Sequence, residues 1–471
     1  MMIDRLKLLF TRNLISAWIL FFVIAFAPLP FGSAQSMAIA FWCVLLSIAT
    51  ILLSTRGLAT VQHWLIAGIF VVVAGYLFVL HEQLSDRPWV TPFHPAWQQA
   101  SELLGEPLRA SASVMRNEPF FAFGATLANI MALLLGMVVG SDHHRGRQIM
   151  LVIAVSGALY ALYGICSFLI EPGMILWRDK KFYTGSVTGT FINRNTAATY
   201  FGSCAVLWLL LLLHSVRRRI PQRRIVWTRL IPDWPKIPVR ELLPPSCALT
   251  ICVMALLMTG SRAGVALSLL AMIVASTVFL GKDLPSRTGI WISLAGGGIL
   301  ALGLLQLFGE RVSSRFDSQG LVDEGRIEGW KSTMRIIADY PWVGTGLGTF
   351  TQAFPAYRSG LISIRGVWDR AHNTPLELAS DVGLPLAGLV AAGWVVMLVV
   401  LLRGCMDRRR DDLLLPLAAL VISSLALLHS IVDFSLQISG YAIPLFALLG
   451  AGLSQANKRS ANRLSRTTPV K

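Results

Sequence analysis

The stretch SCALTICVMALLMTGSRAGVALSLLAMIVASTVFLG, residues 246–281, contains two apolar runs, 246–260 and 263–281, separated by Ser261-Arg262. Runs of this kind approach the length of about 20 residues that an α-helix needs to cross a bilayer. An arginine between two of them belongs at a membrane surface, because an unpaired charge in hydrocarbon is costly. The pattern recurs along the chain, with apolar segments at 14–32, 36–54, 61–80, 120–140, 148–170, 196–214, 246–260, 263–281, 288–308, 383–402, 413–433 and 438–455. Hydrophobic residues make up 55% and charged residues 14%, and the mean hydropathy is +0.63, far from a soluble average. The expected fold is an all-α polytopic membrane protein with about 12 transmembrane helices.

The basic residues give the orientation. With both termini inside, 25 of the 41 Lys and Arg fall in inner segments, and once acids are counted essentially the whole net charge of +16 lies on that side, as the positive-inside rule requires. The basic balance is therefore a topology signal and does not point to nucleic acid. The run SVRRRIPQRR, residues 215–224, reads as a solvated loop near anionic headgroups. Arg5, Lys7 and Arg12 before the first apolar run, with Gly32 to Ala34 after it, imitate a signal peptide. That run is longer than a signal core and a second span follows at once, so it reads as an uncleaved anchor. Cys43, Cys166, Cys204, Cys247, Cys252 and Cys405 all fall in spans or inside, so outer disulfides and zinc-type spacings are not expected.

Three outer loops are long. In 81–119, PAWQQASELLGEPLRASASVM predicts a short amphipathic helix at the interface, acting as a lid or scaffold. In 171–195, Trp177, Arg178, Lys180 and Lys181 precede YTGSVTGTFINRN, where Gly and Thr deny a long helix and Asn195 is placed to cap the sixth span. This predicts an irregular loop that delivers Arg194 to the membrane surface. In 309–382, EGRIEGWKSTMRIIADYPW repeats Ile327, Trp330, Met334 and Ile337 at helical spacing, with Arg326, Lys331 and Arg335 off that stripe. The pattern predicts a helix with one face in the headgroup boundary, partnered by lipid or the spans beneath. It ends at Tyr340-Pro341, and Gly344, Gly346 and Gly348 then make a tight, exposed-backbone turn. GTGLG follows a helix and not a strand, so it reads as a structural turn and not a nucleotide cradle.

Arg194, Arg262 and His372, the last in RAHN, share the outer side. Guanidinium groups stay charged and grip phosphate oxygens in a fork, and imidazole is the commonest side chain for removing a proton near neutral pH. The set suits a diphosphate-bearing substrate. His372 is the candidate base, with Asn373, Glu377 or Asp381 as orienting neighbours; if Glu377 is the base, His372 binds phosphate instead. The plainer alternatives are structural. Arg262 would satisfy carbonyls at the end of the seventh span, Arg194 would anchor at the interface, and His372 would start a helix. His429 and Asp433, near the outer end of the eleventh span, also read first as structural, and His63, His81, His94, His143, His144 and His214 as interface or loop residues.

The ordered set GTFINRNTAATYF, TGSRAG, GRIEGWKSTMRIIADYPWVGTGLGTF and AHNTPLELASDVGLP resembles the O-antigen ligase and polymerase superfamily of bacterial envelope glycosyltransferases. The likeness covers roughly residues 185–390 well and the N-terminal spans only in general character. It implies a GT-C-type fold in the bacterial inner membrane, with an active site facing the periplasm. The donor it implies is a glycan on undecaprenyl diphosphate, the acceptor a hydroxyl of a glycan or lipid A core, and the outcome inversion at the anomeric carbon. Carried over by position, it places Arg194 and Arg262 on the diphosphate and His372 with Arg262 at the reacting centre. Asn195, Asn373, Glu377, Arg326 and Arg335 are then supporting residues. It implies neither metal nor cofactor, and membrane lipids but no nucleic acid as partners.

The expected organisation is residues 1–184 as N-terminal membrane helices with loop 81–119, 185–390 as the catalytic region including loop 309–382, and 391–471 as C-terminal helices with a basic cytoplasmic tail. A secondary transporter of a small anion would also suit twelve spans. Coupled transporters place ionisable groups near the bilayer midplane, and the central parts of these spans contain no Asp, Glu, Lys, Arg or His. A non-catalytic scaffold of an envelope assembly complex predicts that Ala at Arg262 leaves polysaccharide unchanged. Neither the first loop nor the C-terminus carries an acceptor-specific pattern.

Overall fold

The computed structural model describes residues 2–55, 58–219, 239–281, 298, 324–362, 367–406 and 412–467. In chain order these form α1 (Met2–Phe26), α2 (Ser36–Leu52), α3 (Thr60–Leu84), α4 (Pro95–Leu104), α5 (Glu118–Val139), α6 (His143–Ile170), α7 (Arg194–Arg219), α8 (Val239–Met258), α9 (Arg262–Gly281), α10 (Glu324–Asp339), α11 (Phe350–Ala353), α12 (Thr374–Met406), α13 (Leu414–Ser430) and α14 (Ser439–Thr467). Eleven of the twelve predicted spans coincide with helices. The ninth, 288–308, lies outside the described residues apart from residue 298, as do 220–224 of the basic run and 309–323 of the third loop. Among the described residues, α3, α5, α6, α7, α8, α9 and α12 are long and apolar enough to cross a membrane, and α1, α2 and α13 carry shorter apolar stretches.

The bundle is built around α7, whose apolar window is 72% buried, against 17% for α3 and 11% for α12, which lie at the periphery. The tightest crossing is between α5 and α14. A Cβ on Gly136 would stand 2.2 Å from the carbonyl oxygen of Ala447, and one on Gly450 would stand 2.2 Å from that of Leu133. In lipid, helices gain from close van der Waals packing, and small residues let backbones touch. Gly136→Val is therefore expected to destabilise the protein by about 1–3 kcal/mol through overpacking, read as a lowered thermal midpoint in detergent. An unchanged midpoint would contradict the backbone-to-backbone contact.

The loops assemble at one end of the bundle. The Glu82 carboxylate accepts backbone N–H groups of Trp89 (2.9 Å), Val90 (3.0 Å) and Thr91 (3.1 Å), anchoring the first loop. Within that loop α4 forms as predicted, capped by the His94 ring and closed by Gly105 in the left-handed region. Gly344, Gly346 and Gly348 all have positive φ, at 69°, 122° and 78°, conformations that glycine adopts without steric cost. The turn they form is not exposed, however. The Gln83 amide donates to the carbonyls of Val343 (2.6 Å) and Asp381 (2.8 Å) and accepts from Leu347 N (2.9 Å). Asp381 Oδ2 accepts from Gly348 N at 2.8 Å. Val114 N donates to the Thr345 carbonyl at 2.8 Å. GTGLG is thus a buried buckle joining the first loop to α12 beside its kink at Gly383, and Asp381 orients this buckle, not His372.

Two other expectations need correction. Loop 171–193 is mostly irregular but contains a two-residue antiparallel ladder, β1 (Met174–Ile175) with β2 (Arg178–Asp179). The packed face of α10 is Gly329, Ser332, Thr333 and Ile336, not the stripe of large apolar residues, and Met334 is 51% exposed. The reason is steric. The segment after the buckle folds back on α10 with Phe350, Phe354 and Trp368 around Ile336, and a Cβ on Gly329 would stand 2.9 Å from the Trp368 ring, so position 329 has room only for glycine.

Candidate active site

Two helices that begin with arginine stand side by side. The FINRN segment, residues 191–195, has Asn193 at its centre, whose Oδ1 accepts from Asn195 N at 2.7 Å. The cap of α7 is therefore Asn193 and not Asn195, and the helix starts at Arg194, two residues before the predicted span. That bond also fixes the amide so that Asn193 Nδ2 is a buried donor without a partner among the described residues. Arg194 lies over the Tyr183 ring, 5.1 Å from its centroid, and its Nε is likewise buried and unpartnered in hydrogen bonding among the described residues. Arg262 opens α9 after a turn at Gly260 (φ 64°), with Ser261 Oγ accepting from Gly264 N at 3.3 Å.

The closeness of α7 and α9 follows from their glycines. A Cβ on Gly264 would stand 2.5 Å from that of Ala198, and one on Gly202 would stand 1.9 Å from Ser268 Oγ. Val187 N donates to the Met258 carbonyl at 3.0 Å, which ties loop 171–193 to the end of α8. Each helix N-terminus adds partial positive charge to its arginine, and together they favour an anion.

His372 sits just before α12 in the left-handed region, φ 51°, which is costly for a residue with a side chain and persists only where surroundings enforce it. The enforcing contacts are on both sides. Trp330 Nε1 donates to the Ala371 carbonyl (3.1 Å), Ala371 N donates to Glu377 Oε2 (2.7 Å), and Asn373 Oδ1 accepts from Leu376 N (3.0 Å), capping α12. His372 Nδ1 lies 3.3 Å from Asp433 Oδ1, and the ring meets Phe434 and Trp368 at centroid distances of 5.2 and 5.9 Å. Thr374 Oγ1 donates to the Asp433 carbonyl at 3.2 Å, and Arg326 Nη1 to the neighbouring Val432 carbonyl at 2.8 Å. Arg370 pairs with Glu377 Oε1 at 3.1 Å.

A chain of polar contacts links the two halves. Thr199 Oγ1 donates to the Asn195 carbonyl (2.9 Å) and lies 3.3 Å from Ser435 Oγ, which is 3.0 Å from His429 Nδ1. Helix α13, which ends three residues before Asp433, packs against α7, α9 and α12. The same end of the bundle therefore holds Arg194, Asn195, Arg262, Arg326, His372, Asn373 and Glu377. Arg335 is not brought in: it stays on the exposed side of α10, bonded to Ser332 Oγ at 3.1 Å. On sequence Asp433 reads first as structural, and Arg370, Thr374 and Asn193 are passed over. A carboxylate at the end of an apolar run was the one local signal for Asp433, and nothing local pairs it with a histidine 61 residues away.

Asp433 is 1% exposed. Burial, the largest influence, pushes its carboxyl up, but the hydrogen bond from His372 and the charges of His429, His372 and Arg326 outweigh burial and hold it below the usual carboxylate range. A depressed folded pKa stabilises above the unfolded value of about 3.9, and that stability is lost as pH falls through the folded pKa. Asp433→Asn should therefore lower the thermal midpoint at pH 7 and flatten its decline below about pH 4. Equal acid sensitivity of variant and wild type in melts at pH 7 and pH 3 would refute the pairing.

Among the described residues no group of three His, Cys, Asp or Glu side chains gathers as metal ligands. Residues 247–391 match the O-antigen ligase family. The matched stretch takes in most of α8, α9 with Arg262, α10, the GTGLG buckle and the start of α12 with His372, while Arg194 and Asp433 lie outside it. The match takes in three of the four sequence fragments that carry the resemblance and bears it out there; GTFINRNTAATYF, residues 189–201, lies before it. A comparison with curated proteins found no match. The O-antigen ligase match and the apolar helices together indicate a bacterial membrane protein of the glycan-transferring, glycosyltransferase kind.

Proposed function

We propose that the chain is an inverting, GT-C-type glycosyltransferase of the bacterial inner membrane that takes a glycan from undecaprenyl diphosphate and joins it to a sugar hydroxyl. The loop-bearing end faces the periplasm, and both termini face the cytoplasm. The observation that carries this reading is the pair of arginine-headed helix N-termini packed together at the end of the bundle where His372 rests on Asp433.

In the reaction the acceptor oxygen bonds to the anomeric carbon while the bond to the diphosphate breaks, and the electron pair leaves with the phosphate. Arg194 and Arg262 stabilise the charge that grows there, with the unpartnered polar atoms of Asn193 and Thr196 on either side of Arg194 in the chain. The Nδ1 face of His372 is turned to Asp433, so Nε2 takes the acceptor proton and the carboxylate stabilises the imidazolium. Both Glu377 oxygens are engaged, one by Arg370 and one by Ala371 N, so Glu377 supports the histidine turn and is not the base.

Purified protein in vesicles, supplied with an undecaprenyl-diphosphate glycan and acceptor-bearing membranes, should lengthen the acceptor and release undecaprenyl diphosphate. No release and no transfer would refute the proposal. A cysteine placed at Gly360 should react with an impermeant thiol reagent from the periplasmic side; reaction only from the cytoplasm would overturn the orientation.

A further inference from the structure

A cavity of about 640 Å³ lies between α2, α3, α5, α12 and the start of α14, a volume typical of ligand sites. Most of its wall is apolar, with Ile69, Val72, Leu389, Trp394 and Phe446 prominent. Along α5 the lining runs from Glu118 to Leu133, roughly 22 Å at the helical rise against about 30 Å of bilayer hydrocarbon. Trp64 and Val396 on its sides are 73% and 52% exposed, and α3 and α12 are the least buried spans, so the groove opens sideways onto lipid.

At the loop-bearing end the lining becomes polar, and its chemistry is opposite to that around the paired arginines. Glu118, Glu377 and Asp381 line it with a single guanidinium, Arg370, already paired with Glu377. The buried polar atoms that line it without a partner among the described residues are all acceptors: Asp381 Oδ1, Gln437 Oε1 and, deeper, Asn129 Oδ1. Asp381 is 5% exposed. A phosphate here would meet the carboxylates of Glu118 and Glu377 and orphaned amide oxygens, whereas a hydroxyl, which both donates and accepts, satisfies them and also Asp381, whose carboxyl is pushed well above the usual range by burial and the Glu377 charge. Thr374 and Gln437 belong to this lining; Thr374 is bonded to the Asp433 carbonyl, and Gln437 lies four residues beyond Asp433, so the polar end of the groove adjoins the His372–Asp433 pair from the side of α12.

We infer that this groove holds the acceptor, and that the acceptor is a glycolipid. Its apolar tail lies between α3, α5 and α12, and its sugar hydroxyls bond to Glu118, Asp381 and Gln437 with no phosphate at this position. The inference rests on the transferase reading above.

The test fills the groove and changes the headgroup. Gly68 and Gly393 line it; a Cβ on Gly68 meets nothing within 4 Å, and one on Gly393 only a Val72 methyl at 3.9 Å, so Gly68→Phe and Gly393→Phe project into the groove without displacing backbone. Two photoreactive probes share one diazirine-bearing alkyl tail, one ending in a glucoside and one in a phosphate. In vesicles the glucoside probe should label peptides of α3, α5 and α12 in the wild type, and labelling should fall about tenfold in each filled variant, the scale of losing a fitted apolar contact. The phosphate probe should label the same peptides about tenfold less, for want of satisfied polar partners. Equal or stronger labelling by the phosphate probe, or glucoside labelling that survives both fillings, overturns the inference. Both variants should also raise the KM for acceptor membranes while leaving the KM for the lipid-diphosphate donor unchanged; unchanged acceptor KM overturns the acceptor assignment. Wild-type vesicles that release no undecaprenyl diphosphate would instead refute the transferase reading and leave the labelling result standing.

Discussion

Replacing His372 with Ala is expected to lower glycan transfer by about 10²–10⁴-fold, the range that a positioned general base contributes. The membrane level should stay near wild type, because the turn is also held by Trp330, Asn373 and Glu377, while the thermal midpoint at pH 7 should fall as it does in Asp433→Asn, because the same buried pair is broken. Asp433→Asn keeps the shape of the partner and removes its charge, and it should reduce kcat by about 10–100-fold, the usual effect of losing an orienting group, with little change in donor KM. Transfer by His372→Ala within a few-fold of wild type would remove the residue from the chemistry.

Arg194→Ala and Arg262→Ala should each lower kcat by about 10²–10³-fold, as when one preorganised donor to a developing anion is lost. Lys at either position should recover little, since a point charge lacks the planar fork. The double variant should fall short of the product of the single effects, because both groups grip one leaving group and neighbouring sites are not additive. Single-turnover release of undecaprenyl diphosphate gives the measurement. Fully multiplicative effects would mean that the arginines act on different parts of the substrate, and a near-normal rate in either variant would withdraw that residue.

Much of the architecture was legible because its signals are local. Apolar run length placed the helices now seen at eleven of the twelve predicted spans. TGSRAG marked a tight turn with Arg262 at its edge, and the glycines of GTGLG marked positive φ. What sequence did not give depends on distant partners. The GTGLG turn is buried only because Gln83 reaches it from α3. The packed side of α10 is set by rings from 350–371 that the hydrophobic stripe of the helix itself does not encode. Asn193 and Asn195 are equally good caps on paper, and the entry path of loop 171–193 decides between them. Asp433 gains its meaning from a histidine in another segment.

Gly136 in α5 and Gly450 in α14 are separated by about 300 residues, so at a synthesis rate of about 5–20 residues per second the earlier helix waits roughly 15–60 s for its partner. During that interval its glycine seam rests against lipid or an insertion factor, while α5 can already pack on α1, α2 and α3. Maturation is therefore gated by the arrival of the last helix, and a chain stopped before it would leave the ribosome with that seam still open to quality control.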